Sequence, residues 1–319
     1  TPQDRREVIE TLKRRADRAA MGTLIAFLWH VGVAEEMFSD NSLEQRATHK
    51  ELVATAIDAA AAFGGLCYPA AERFLTRADT PARRRRGVAL IRALRDPRAV
   101  TPLIDALAWE VGENAPDLGI AAALEELGDV RAIDALVAAA MDVRRPVGLR
   151  RNAAEALAIF DDPRSVETLN SLAKEGEFRL VTAYGLFRLN GDADALGRIR
   201  EALSAGGEEC TEVLRMVAKW THPRFEGLLL EGLRSADPEV RPRLYAMLKE
   251  RYWKSAQAQA EAALLDAAGV PAVPDWIVTE LGAMGGEEAA KRLGKLLELV
   301  SAERWELVAT AYARTGDPR

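Results

Sequence analysis

Asp161-Asp162-Pro163-Arg164 is one copy of a turn that returns along this chain at nearly constant spacing. Other copies are Asp96-Pro97-Arg98, Gly128-Asp129, Gly191-Asp192, His222-Pro223-Arg224 and Gly316-Asp317-Pro318-Arg319. With Trp253 and Gly286 as degenerate members, the turns stand at 96, 129, 162, 192, 222, 253, 286 and 317, so the spacing stays between 30 and 33 residues. A period in that range marks a stack of repeated supersecondary units.

The residues after each turn say what the unit is. Seven positions on stand Leu103, Leu136, Leu169, Ile199, Leu229, Ala260 and Leu293; eleven positions on stand Leu107, Ala140, Ala173, Leu203, Leu233, Leu264 and Leu297. Separations of four and seven put these side chains on one helical face, whereas a strand needs a period of two. The turn Asp accepts from the free N–H groups of a helix start. Pro97, Pro163, Pro223 and Pro318 then take the first helical position, where the missing N–H is harmless. Each turn therefore opens a helix, B. A second helix, A, precedes it, as in Leu149-Arg150-Arg151-Asn152-Ala153-Ala154-Glu155-Ala156-Leu157 and in the segment from Asp237-Pro238-Glu239 into Val240-Arg241. No window alternates as a strand would, and the predicted fold class is all-α.

The pattern Leu149-Arg150, Ala153-Ala154, Ala156-Leu157, Asp161-Asp162, Val166, Leu169 resembles the HEAT-like repeats of phycobilin lyase subunits, a pattern shared by many bacterial HEAT-repeat proteins. The resemblance is best over roughly residues 80 to 245. It implies a right-handed α-solenoid, A helices outside and B helices lining a concave face. No residue set carries the lyase activity over. The domain expectation is one continuous elongated body: a divergent helical cap over 1–78, then the repeats over 79–319, truncated within the last one. Predicted cap helices are 3–20, 22–38, 42–63 and 68–78, with Ser42 capping the third and 42–78 a degenerate repeat. Because Gly316-Asp317-Pro318-Arg319 reproduces the turn without a B helix after it, the chain is expected to be a fragment. It also starts at Thr1 without Met, which leaves room for a removed leader.

The chain has 319 residues, 49% of them hydrophobic but only 6% aromatic, which suits tight Ala/Leu helix packing rather than a deep aromatic pocket. Two cysteines, Cys67 and Cys210, make neither a CxxC nor a disulfide framework, and a reducing cytoplasm fits them. The apolar run from Met21 to Ala34 is too short to span a membrane and reads as a buried capping helix. Gly206-Gly207 and Gly269 to Pro274 are the strongest breaks between pairs.

No catalytic, cofactor or metal site is expected. The three histidines, His30, His49 and His222, fall in no HExxH pattern, and no His-Glu dipeptide occurs, which argues against the hydroxylases built from HEAT-like repeats. His222 replaces the turn Asp, and Cys210 stands where a regular repeat has Arg150, so a drifted structural pair is expected there. Residues 77 to 98 hold eight arginines against Asp79 and Asp96 and are expected first as a solvated outer face; Arg85 and Arg92, opposite Val88 and Ile91, are the candidates there for an acidic protein or lipid contact or for phosphates. A net charge of −6 and the lack of a basic stripe make nucleic acid the weaker choice.

Among six tryptophans, Trp109, beside Glu110, and Trp253, beside Tyr252, are the candidate contacts, because such rings bury large area at low entropic cost. Polar B-helix positions, among them Asp105, Glu110, Asp134, Glu167, Glu201 and Glu231, would face a groove if the resemblance holds. The expected function is a non-enzymatic, cytoplasmic, bacterial scaffold or adaptor binding a protein or peptide through Trp109, Glu110, Tyr252, Trp253, Arg85 and Arg92. The alternatives are a subunit of a bilin-lyase-like enzyme and a DNA binder acting through residues 83–98.

Overall fold

The computed structural model describes residues 2–15, 17–37, 43–235, 240–267 and 273–316. Its contacts divide the chain into two compact units, Thr1–Gly185 and Leu186–Arg319. Among the described residues there is no strand.

The first unit opens with α1 (Pro2–Arg15), α2 (Arg18–Met37), α3 (Leu43–Ala61) and α4 (Tyr68–Arg77), the four helices expected for the divergent region, with the first break about five residues earlier than expected. It continues with α5 (Pro81–Leu94), α6 (Val100–Leu107), α7 (Ile120–Leu127), α8 (Ile133–Met141), α9 (Val147–Leu157) and α10 (Pro163–Leu172). The unit boundary falls inside α11 (Arg179–Asn190). The second unit holds α12 (Ala193–Ala205), α13 (Gly207–Lys219), α14 (Arg224–Ser235), α15 (Arg241–Met247), α16 (Trp253–Ala267), α17 (Asp275–Met284), α18 (Gly286–Leu297) and α19 (Ala302–Arg314).

Two layers of helices make the first unit. Helices α3, α5, α7 and α9 pack in succession, as do α4, α6, α8 and α10, so residues 43–77 behave as a repeat despite their divergent sequence. Every residue seven positions past a turn, from Leu103 to Leu293, is fully buried. Ala173 and Leu297, eleven past, are only half-buried, and Leu172 and Leu296 take the interior instead. Over residues 18–30, helix α2 buries Ala20, Leu24 and Leu28 and leaves Gly22, Thr23, Ala26 and His30 exposed, so this stretch is not wholly buried as expected. No described helix is long and apolar enough to cross a membrane.

The turns have a common chemistry. At Asp162 the carboxylate accepts the Arg164 N–H at 2.9 Å and, with both oxygens, the Arg164 guanidinium through Nε and Nη2, also at 2.9 Å. Asp96 with Arg98 and Asp129 with Arg131 repeat the bracket. So does Asp142 with Arg144, which stands ahead of an A helix rather than a B helix. The guanidinium forks hold the carboxyls of Asp129, Asp142 and Asp162 at about 2. At 96 and 129 the B helix begins with a 3₁₀ turn, Pro97–Ala99 or Val130–Ala132, whereas α10 begins directly at Pro163.

Close helix approach is set by glycine. A Cβ on Gly87 of α5 would stand 2.7 Å from Leu75 N and from Phe74 Cβ of α4. On α17, a Cβ at Gly282 would stand 2.8 Å from the Ala311 backbone of α19.

The expected turn at Trp253 is absent. Helix α15 runs through a π-helical segment, Leu248–Tyr252, straight into α16 with no non-helical residue between. No Asp, Gly or Pro stands between 247 and 253 to interrupt the backbone, and a wider helical turn takes up the change instead. Ser42, Asp237 to Glu239, Gly269 to Ala272 and Asp317 to Arg319, on which a cap, a helix start, a break and a turn were expected, lie outside the described residues.

Candidate functional site

Arg83 to Arg86 and Arg92 of the basic stretch are engaged by their neighbours. Arg83 Nε donates to Trp29 O at 2.9 Å, Arg84 Nε to Ala78 O at 3.2 Å, Arg85 Nε to Asp117 O at 2.7 Å and Arg86 Nη1 to Leu28 O at 3.0 Å. Arg92 meets Glu126 of α7 through both Nε and Nη2. A guanidinium has five N–H groups and suits carbonyls left open around helix ends and loops. Arg85 and Arg92 therefore tie α5 to the segment carrying α7, and the stretch presents no row of uncommitted cations. The same device recurs in Arg145, whose Nη1 donates to Leu107 O at 2.9 Å and to Glu110 O at 3.0 Å, and in Arg150, whose Nε donates to Ala140 O at 2.9 Å.

Trp109 and Glu110 sit in the loop between α6 and α7, and the structure gives them opposite roles. Trp109 is 37% exposed and the Arg84 guanidinium lies 4.6 Å from its ring centroid. Glu110 points inward, is 2% exposed, and accepts the Leu118 N–H at 2.9 Å. Burial pushes its carboxyl up to about 7, with the Asp117 charge adding to the shift and the Leu118 bond and Arg145 opposing it. Glu110 is thus the anchor that closes the loop, not a groove-facing side chain. Beside the loop, Val111 and Met141 line an open depression of about 680 Å³ with Ala108, Ala138, Asp142, Arg144 and Arg145. Met141 and its neighbour Val143 are exposed.

Tyr252 and Trp253 diverge in the same way. Tyr252 is buried; its hydroxyl donates to His222 O at 3.1 Å and accepts from His222 N at 3.2 Å. His222 takes over part of the lost Asp's work, its Nδ1 accepting the Arg224 N–H at 3.4 Å. Burial, with the charges of Arg188 and Arg224, lowers the His222 pKa. Cys210 is a buried free thiol whose pKa burial raises. Trp253 is half-buried, its ring edge-on to Tyr245 at 5.9 Å.

Around Tyr245 is a site that the sequence reading missed. Tyr245 lies 6.0 Å from Trp276 of α17, and the two rings, with Pro242, Ala246, Lys249, Glu250 and Glu280, line a pocket of about 310 Å³. Lys249 Nζ is 2.9 Å from Glu280 Oε2 and 5.9 Å from the Tyr245 ring. Burial and the charges of Glu280 and Glu261 raise the Tyr245 pKa. Trp276 belongs to no turn motif, and the π-helical segment that supplies Lys249 and Glu250 has no periodic signature to read.

No cluster of three or more metal-ligating side chains occurs among the described residues. No curated protein matches the chain. Among solved structures, human deoxyhypusine hydroxylase in complex with glycerol aligns with TM-score 0.36 and 20% identity, covering 78% of this chain and 96% of its own. An Escherichia coli protein, YibA, aligns with TM-score 0.36 and 14% identity, covering 97% and 96%. One expectation is corrected here: one of these two aligned proteins is a hydroxylase, and the non-enzymatic reading is withdrawn. A helix-pair architecture without a visible catalytic constellation does not mark a chain as non-catalytic.

The match of greatest consequence is to the segment around Arg150. There the guanidinium forks onto Glu175 at 2.9 and 3.0 Å and lies 4.8 Å from the Phe178 ring. Residues 149–175 match the model of the PBS lyase HEAT-like repeat, and this chain carries a HEAT-like repeat.

Proposed function

We propose that this chain is an adaptor that binds a protein or peptide partner, the first unit presenting the loop between α6 and α7 together with the end of α8. The observation that carries this reading is the exposure of Trp109, Val111, Met141 and Val143, the last at 78%, on and beside an open depression. Exposed apolar side chains grouped around a concavity and rimmed by charge mark interaction surfaces on otherwise polar proteins. Trp109 is the anchor, a large ring with the Arg84 guanidinium 4.6 Å from its centroid. Arg144, exposed beside Asp142, supplies the polar rim. Within each unit the helix pairs are proposed to stack with the right-handed sense of HEAT-like repeats. The buried free thiols of Cys67 and Cys210 favour a reducing compartment.

A photo-crosslinking residue placed at Val143 tests this in the source cells. A discrete adduct that disappears in Trp109→Ala, with helicity unchanged, is the expected result; an adduct pattern indifferent to Trp109→Ala contradicts it.

The repeat match supports a second reading, a subunit of a lyase-like enzyme whose partner completes the site. A shift or sharpening of a bilin's own visible absorption band on mixing with the chain would favour this over the adaptor. The DNA reading loses its support, because the arginines of 83–86 and Arg92 are engaged within the unit.

A further inference from the structure

We infer that the pocket between α15 and α17 receives an arginine or lysine side chain of the partner segment. This rests on the partner-binding reading and names the chemistry that one part of the second unit selects. Tyr245 and Trp276, 6.0 Å apart and tilted by 43°, make one aromatic wall. Pro242 and Ala246 provide an apolar floor for a side-chain stem, and Glu250 and Glu280 stand at the polar side with Lys249.

The chain's own Lys249 shows what the wall accepts. Its ammonium reaches both the Glu280 carboxylate, at 2.9 Å, and the Tyr245 ring, at 5.9 Å. Two carboxylates against one amine leave the lining with an excess negative charge, and an aromatic face attracts a cation further. Glu250 also meets Arg251, at 3.2 Å, on an open surface where such a pair contributes little and exchanges readily. An incoming guanidinium suits the site better than an ammonium, since it lies flat on the aromatic wall and forks onto a carboxylate. The π-helical segment Leu248–Tyr252 brings Lys249 and Glu250 to the pocket, and such insertions frequently mark functional sites.

The indole N–H of Trp276 makes the test direct. It is buried and has no acceptor among the described residues, so its resonance reports changes at this wall with no hydrogen bond to mask them. Acetyl-Gly-Gly-Arg-Gly-Gly-amide and its citrulline counterpart, equal in shape but neutral, are titrated into the ¹⁵N-labelled full chain. The arginine peptide is expected to shift the Trp276 indole signal saturably and the citrulline peptide to leave it in place. Glu280→Gln is expected to weaken the arginine response several-fold, and Lys249→Met, which frees Glu280, to strengthen it. No shift, equal shifts from both peptides, or indifference to Glu280→Gln overturns the inference. If a partner crosslinked through Val143 still binds Glu280→Gln at full strength, the arginine pocket fails and the adaptor reading survives. If the arginine response holds while that crosslink is indifferent to Trp109→Ala, the first-unit surface fails instead.

Discussion

Arg150 of α9 and Glu175, just past α10, are joined by a two-toothed fork, with Arg150 almost wholly buried and Glu175 at the surface. The third arm of the same guanidinium satisfies the Ala140 carbonyl in the last turn of α8, so one side chain ties α8 and α9 to the segment that follows α10. Arg150→Met keeps the volume of the stem but strands a buried carbonyl. We expect it to cost about 2 kcal/mol, the usual penalty for an unsatisfied buried acceptor. Arg150→Lys should recover only part, because an ammonium cannot reach the carbonyl and both carboxylate oxygens in one plane. Denaturant titration of the two variants checks the order; equal losses would contradict it.

Glu110 makes stability fall as pH rises. Its folded pKa, about 7, stands above the ordinary carboxyl value of 4.5 because burial disfavours the charge. Between those values the unfolded chain gives up a proton that the folded chain retains, so stability declines from pH 4.5 upward and levels off above 7. The full loss is roughly 3 kcal/mol. Glu110→Gln can still accept from Leu118 N–H and has no charge to bury. Its melting temperature should match the parent near pH 4.5 and exceed it at pH 8, and parallel curves would refute the assignment.

Gly87 permits the contact between α4 and α5. Gly87→Ala must push backbone apart, since the added carbon meets Leu75 N and Phe74 Cβ at 2.7 Å. A loss of about 1–3 kcal/mol follows from overpacking, against the gain that alanine brings to an unconstrained helix. Gly148, with nothing within 4 Å, is the control: Gly148→Ala on α9 should be neutral or stabilising.

The Asp–Arg brackets resist acid. The folded carboxyls of Asp129, Asp142 and Asp162 lie at about 2, below the ordinary value of 3.8, so their contribution is intact above pH 4 and is lost only as pH falls toward 2. Asp162→Asn, which can still cap the Arg164 N–H but loses the ionic fork, should lower the melting temperature at pH 7 and approach the parent at pH 2. A gap that persists unchanged at pH 2 would show that charge plays no part.

Much of the fold could be read from spacing alone. A 30–33-residue period and the burial seven residues past each turn are consequences of helix geometry, and Leu103 through Leu293 followed them. Spacing carries no information about a helix that fails to break, which is why the continuous passage from α15 into α16 was not foreseen. The site was less legible. Trp109 and Glu110 are neighbours in sequence, yet one ring faces solvent and one carboxyl faces the core, and only the path of the loop decides which. Arg83 to Arg86 looked like a surface charge run, but the carbonyls they meet come from residues up to 58 positions away. Trp276 and Tyr245 stand 31 residues apart, one repeat period, so their nearness follows from the stack, but spacing alone does not say that these two rings line a pocket.

The most direct test of the account is the affinity of the crosslinked partner, once isolated, for the parent chain and for Trp109→Ala. We expect at least a tenfold loss with unchanged helicity, in line with removal of a central aromatic anchor. Equal affinity for the two chains would contradict the central claim that the loop between α6 and α7 is where this protein meets its partner.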